Sequence, residues 1–190
     1  MKSIVYYPYV EGVVAPQSLR ATVKYALARP GCWIRPQICK DAPLSYAKGL
    51  SDIWGIGADI IIIEHDIVPT VEQFNELVDC QESSVCSWDY SYPGCESWAS
   101  NTLKERAKGA NIPNGLTSRG YASSDANNVA FGFIKIGRAA QTVDVPIVHW
   151  KILASTLSRK LPEVHIHGLN NQVVHRPNER VLREESYARI

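Results

Sequence analysis

The strongest hydrophobic signal in the chain is Ala58-Asp59-Ile60-Ile61-Ile62-Ile63-Glu64-His65-Asp66, an apolar run that stops on two carboxylates flanking a histidine. Four consecutive β-branched residues without polar alternation suit a strand buried on both faces, the setting of parallel sheets covered by helices. The flanking pattern alternates between strand and helix. Lys2-Ser3-Ile4-Val5-Tyr6-Tyr7-Pro8 predicts a first strand, with Pro8 opposing its continuation as a central strand. Residues 16–28 place apolar positions at helical spacing ahead of Pro30-Gly31. Cys32-Trp33-Ile34-Arg35 predicts a second strand, and residues 44–56 a second helix closed by Gly55 and Gly57. After the isoleucine strand, Thr70 supplies a cap and Glu72 an acidic first turn for a helix through Val78, followed by a short strand over residues 84–88. This is the signature of an α/β fold: a central, mostly parallel sheet flanked by helices.

Beyond residue 88 the texture changes. Residues 89–128 are rich in Tyr, Ser, Gly, Pro and Asn, with one short polar helix expected near 102–108. A connection of that length in a domain is usually functional, and this one is expected to be a lid on the acceptor side of a site. Residues 128–136 resume as a strand interrupted by Gly132, residues 150–161 read as an amphipathic helix, and Val164-His165-Ile166-His167-Gly168 as a last short strand or turn. The expected organisation is one Rossmann-like domain over residues 1–175 and a surface tail over 176–190. No internal repeat or low-complexity segment is present.

Composition narrows the class. Hydrophobic content of 45% and charged content of 21% are globular values, and neither a membrane-spanning run nor a signal segment is seen, so a soluble, cytoplasmic protein is expected. The five cysteines, Cys32, Cys39, Cys80, Cys86 and Cys95, are odd in number and contain no C-x-x-C pair, a pattern that speaks against a disulfide framework and against a zinc site. The net charge of +1 conceals an asymmetry: residues 1–100 carry 7 basic against 12 acidic side chains, and residues 101–190 carry 13 against 7. Folding the acidic half against the basic half would let a cation and Lys or Arg side chains share an anionic ligand, although nucleic-acid binders usually show a far larger basic excess.

The chemistry concentrates at the end of the isoleucine run. Open α/β sheets bind ligands at the carboxyl ends of their strands, and a spacing of two puts Glu64 and Asp66 on one face. Paired carboxylate oxygens suit Mg²⁺ or Mn²⁺, which bind through one or two carboxylates together with substrate phosphates. His65 points the other way and reads as a packing residue, while His165 and His167 share one strand face. Trp88, Tyr90, Tyr92 and Trp98 are candidates for stacking on sugar rings, with core packing as the commoner role for such residues.

Taken together, a first strand ending in tyrosine, the Ile-rich strand ending Glu64-His65-Asp66, the Gly132-Phe133 strand and the late His165-Ile166-His167-Gly168 resemble a small glycosyltransferase of the GT-A fold over residues 4–175. The acidic triplet corresponds to that family's D-x-D motif, with Glu in the first place. The resemblance implies a metal-dependent transfer of sugar from a nucleotide-sugar donor. Asp66 would bind the Mn²⁺ or Mg²⁺, Glu64 would face the ribose or reach the metal through water, His167 would complete the metal shell, and Tyr7 would contact the nucleobase. Asp144 would sit in the region of the catalytic base of inverting members, with Asp89 and Asp125 as competitors. The adjacent Glu-Asp pair usual after the Gly-Phe strand is missing here, which leaves the base and the stereochemistry open. The acceptor, whether carbohydrate, lipid, protein or modified nucleic acid base, is equally open. Two alternatives stand beside this reading. A nucleotidyltransferase of related fold would need a Gly-rich basic loop after the first strand, where this chain has Pro8-Tyr9-Val10-Glu11-Gly12-Val13-Val14. A non-catalytic carbohydrate- or nucleotide-binding module would keep the metal site without turnover.

Overall fold

In the computed structural model, the isoleucine run forms the strand β3 (Asp59–Ile63), with all four isoleucine side chains fully buried. Burial on this scale stabilises by about 1.5–3 kcal/mol for each such side chain. The structure describes residues 2–10, 16–40, 44–88, 90, 121–123, 131–144, 160, 163–167 and 173–175. The expected helices over 102–108 and 150–161, the tail over 176–190 and most of the expected lid over 89–128 fall outside these segments, apart from Lys160, Tyr90 and residues 121–123.

Around β3 the chain runs β1 (Ser3–Tyr9), α1 (Pro16–Leu27), β2 (Cys32–Ile38) and α2 (Leu44–Ser51) before it, then β4 (Ile67–Val68), α3 (Val71–Asp79), β5 (Val85–Trp88), β6 (Tyr121–Ser123), β7 (Phe133–Ile136), β8 (Glu163–His167) and β9 (Val174–His175) after it. Seven strands form one mixed sheet in the order β2-β1-β3-β7-β5-β8-β6, and β4 pairs with β9 in a separate two-stranded ribbon. β1 is parallel to β2 and β3, and β5 is parallel to β8, whereas β7 runs antiparallel to both β3 and β5 and β6 antiparallel to β8. Most strands thus share one direction, as the alternation predicts. The reversal of β7 and the edge strand β6, inside the segment expected to be a lid, carry no signal in hydrophobic period, because a short apolar strand looks the same in either direction.

Successive side chains divide between the two faces of the sheet. One face gathers Ile4, Tyr6, Ile60, Ile62, Ile134 and Ile166 with Tyr46 and Leu50 of α2. The other gathers Val5, Tyr7, Ile61, Ile63, Cys86 and Phe133 with Phe74 and Leu77 of α3 and Ala26 of α1. α3 begins with the expected cap: Thr70 accepts from the Gln73 backbone N–H while the Gln73 side chain accepts from that of Thr70. The second helix stops at Ser51, five residues before the expected end, as tighter bonds from Ile53 to Leu50 and Trp54 to Ser51 replace helical ones and Gly55 and Gly57 adopt φ of 75° and 83°. Among the described residues no helix is long and apolar enough to cross a membrane.

Candidate functional site

Strand order locates the first candidate site. From β1 the chain moves outward to β2, then returns to the opposite side of β1 as β3, so the carboxyl ends of β1 and β3 flank the point where winding reverses. Crevices at such points are where α/β sheets bind ligands. Glu64 and Asp66 follow β3 there, both partly buried. The Glu64 backbone is fixed on two sides: its N–H donates to Gly132 O (2.8 Å), and its carbonyl accepts from Ile67 N–H (3.0 Å).

A hydrogen-bond relay ties this corner to β1 and α1. The Tyr7 hydroxyl donates to Ser18 Oγ (3.2 Å), which donates to the Glu64 carbonyl (3.3 Å), and the His65 carbonyl lies 3.5 Å from the same tyrosine oxygen. Tyr7 is fully buried in the core, and burial pushes its hydroxyl up to about 12. The nucleobase contact expected of Tyr7 therefore does not fit its position. Tyr9, two residues further along β1 and so on the same face, sits at the end of the strand, where it is only partly buried.

Tyr9, Cys39, Tyr46, Glu64 and His65 line a cavity of about 200 Å³ at this end of the sheet. The carboxyl of Glu64 is pushed up to about 8, first by burial and then by the neighbouring charge of Asp66, with the Tyr46 hydroxyl acting in the opposite direction. Among the described residues that hydroxyl is buried and has no hydrogen-bond partner within 3.5 Å. A larger depression of about 780 Å³ opens at the other end of the sheet between Arg29, Asp59, Asp79 and Arg138. Its two arginines are already paired, Arg29 with Asp79 and Arg138 with Asp59, and it lies at the amino ends of the parallel strands, so it has no comparable claim.

Asp144 belongs to that far end, which corrects its expected role as a base. β7 pairs Phe133 with Ile63 and Ile136 with Ile60, so the chain leaves β7 beside the amino end of β3. There Gln141 donates to the carbonyls of Ala58 and Ile136, and Asp144 follows three residues later, exposed. The length of β3, about 17 Å, separates this segment from Glu64. Asp89 and Asp125 lie outside the described residues.

His167 does not join the acidic pair either. It is brought together with Cys80, Cys86 and His165, whose ligand atoms and its own all lie within 4.8 Å of one another. The sheet explains the convergence. β5 and β8 are parallel neighbours with Cys86 opposite His165, and His165 and His167 share a face with ring centroids 4.2 Å apart. Cys80 reaches the group from the C-cap of α3. Cys80 Sγ lies 3.1 Å from His165 Nδ1 and accepts from the Cys86 thiol at 3.1 Å. That hydrogen bond, aided by the histidines and opposed by burial, holds the Cys80 thiol well below the usual thiol range, and it pushes Cys86 up. The group that could hold a metal ion is spread over three elements, so spacing of the C-x-x-C kind could not reveal it, and the alternate His165 and His167 are its only sequence signal. Among the described residues Glu64 and Asp66 belong to no converging group of three or more His, Cys, Asp or Glu side chains. The histidine whose backbone is placed next to the acidic motif is His175, the register partner of Ile67.

No family profile matches the chain, and no curated protein matches it. Among solved structures it is similar to one described as the crystal structure of A197 from STIV, with a TM-score of 0.55, 10% identity, and coverage of 94% of this chain and 95% of that chain. At that identity the likeness is one of fold, extended over nearly the whole of both chains.

Proposed function

We propose that the protein is a glycosyltransferase of GT-A type that binds a nucleotide-sugar donor with Mn²⁺ or Mg²⁺ at the carboxyl ends of β1 and β3. The observation that carries this reading is the enclosed Glu64 carboxyl held beside Asp66 at the reversal point of the sheet, facing a cavity. The donor set fits a hard cation, since both side chains offer oxygen. Gly132 supports the fit: a Cβ there would stand 3.1 Å from Glu64 Oε2, so the glycine leaves room for the carboxylate. Asp66 would hold the ion and Glu64 would share it or take the ribose. The cation would supply stabilisation of the negative charge that develops on the departing diphosphate.

The chain's own residues prepare that corner. The relay from Tyr7 through Ser18 fixes the Glu64 backbone, and the Tyr46 hydroxyl lies beside the carboxyl group and lowers its pKa against the effect of burial. Tyr9 supplies an aromatic surface at the cavity in the place expected of Tyr7. A thermal-shift screen of UDP-, GDP-, TDP- and ADP-sugars with and without Mn²⁺ tests the reading. A ligand present at 100 times its Kd stabilises the folded state by about 2.7 kcal/mol, so a true donor will stand out with Mn²⁺ present. Shifts absent for every sugar nucleotide would defeat it.

A further inference from the structure

We propose that Cys80, Cys86, His165 and His167 form a closed four-ligand zinc site that fastens the end of α3 to β5 and β8. This site is separate from the acidic pair, and its argument does not depend on the glycosyltransferase reading.

The first argument is the donor set. Two thiolates and two imidazoles are borderline-soft ligands that select Zn²⁺ over Mg²⁺ or Mn²⁺, and a Cys₂His₂ set is a common structural zinc shell. With Zn–S of about 2.3 Å and Zn–N of about 2.0–2.1 Å, tetrahedral ligand atoms stand roughly 3.4–3.8 Å apart. The separations in this group, from 3.1 Å between the two sulfurs to at most 4.8 Å, lie within a small side-chain adjustment of that figure.

The second argument is the state of His167. The residue is 7% exposed, its ring stacks on Trp88 with centroids 5.0 Å apart and planes within 9°, and its Nδ1 lies 2.8 Å from Glu76 Oε1. Among the described residues its Nε2 is buried with no hydrogen-bond partner. Leaving such a nitrogen unpaired costs about 1–3 kcal/mol, and a metal bond removes the cost. A carboxylate on the remote nitrogen of a ligating histidine fixes the ring and its tautomer, which is the part Glu76 plays here.

Charge balance is the third argument. Two thiolates neutralise one Zn²⁺. Lys135 beside the group is 3% exposed, and its ammonium donates to the carbonyls of Val78 and Cys80, the last turn of α3 and its cap. Four protein ligands leave no open position, so the role is structural. Binding forms two Zn–S and two Zn–N bonds and releases the thiol protons to solvent. Cys32 and Cys39 take no part and remain ordinary thiols.

The test uses the full chain purified without chelator. Elemental analysis should find about one zinc per chain. Replacement by Co²⁺ should give the intense visible bands of a tetrahedral site with thiolate-to-cobalt charge transfer. Because the Glu76 side chain is 59% exposed, E76Q should fold normally, yet lose about 10–100-fold in zinc affinity measured by chelator competition. Zinc-free protein that gains neither metal nor thermal stability on adding Zn²⁺ overturns the proposal. So does a pale octahedral Co²⁺ spectrum, or a Cys80–Cys86 disulfide found by mass spectrometry in protein prepared under reducing conditions and then air-equilibrated with Zn²⁺. An E76Q chain that holds zinc as tightly as the parent overturns the part given to Glu76.

Discussion

The carboxylate of Glu64 lies over Gly132 so closely that a methyl group on that glycine would stand 3.1 Å from Oε2. The same methyl would meet Tyr90 Oη at 2.9 Å and Ile67 Cγ1 at 3.1 Å. Gly132 is required by close approach, since its φ is not positive. Gly132→Ala should therefore destabilise the fold by about 1–3 kcal/mol, the usual range for overpacking, and displace Glu64 from the cavity. Urea denaturation together with Mn²⁺-dependent nucleotide binding checks both effects. A variant with parental stability and binding would show that the corner tolerates the methyl.

Tyr7 and Ser18 should behave as one unit. Ser18→Ala leaves a buried tyrosine hydroxyl with only the 3.5 Å contact to the His65 carbonyl and should cost about 1–3 kcal/mol. Tyr7→Phe removes that hydroxyl, so Ser18→Ala in a Tyr7→Phe background should cost less than in the parent. A double-mutant cycle by chemical denaturation measures the coupling, and strict additivity would deny the relay.

The same tyrosine predicts an alkaline limit. Its folded-state pKa of about 12 exceeds the ordinary 10, so above pH 10 the unfolded chain loses this proton while the folded chain keeps it. Its contribution is fully present below pH 10 and is lost as pH rises from 10 to 12, with a slope of up to about 1.4 kcal/mol per pH unit from this residue. Tyr6 and Tyr46 are displaced in the same direction by burial and add to the fall. Stability curves between pH 8 and 11 should show the decline, and Tyr7→Phe should reduce its slope.

How much was legible in the chain follows from which interactions are local. β3, α1, the Thr70 cap and the placement of Glu64 and Asp66 at a strand end could all be read, because each rests on a run of neighbouring residues. The direction of β7 could not, and that reversal moved Asp144 to the far end of the sheet. Strand pairing also decided the histidines: β8 lies beside β5, which gives His167 to Cys80 and Cys86, while β9 pairs with β4 and brings the backbone of His175 beside the acidic motif. Alternation along β1 puts Tyr7 and Tyr9 on the same face, so it could not tell them apart; what separates them is that the core covers Tyr7 and ends before Tyr9.

The account rests on Asp66 as the main protein ligand of a catalytic-site cation, and calorimetry of UDP, GDP, TDP and ADP binding with and without Mn²⁺ tests it most directly. The parent chain should bind one of these nucleotides in a Mn²⁺-dependent manner. Asp66→Asn should fold as the parent does, keep any zinc, and lose at least about tenfold in that affinity, equivalent to about 1.4 kcal/mol. Unchanged Mn²⁺-dependent affinity in Asp66→Asn, or no Mn²⁺-dependent binding by the parent, would contradict it.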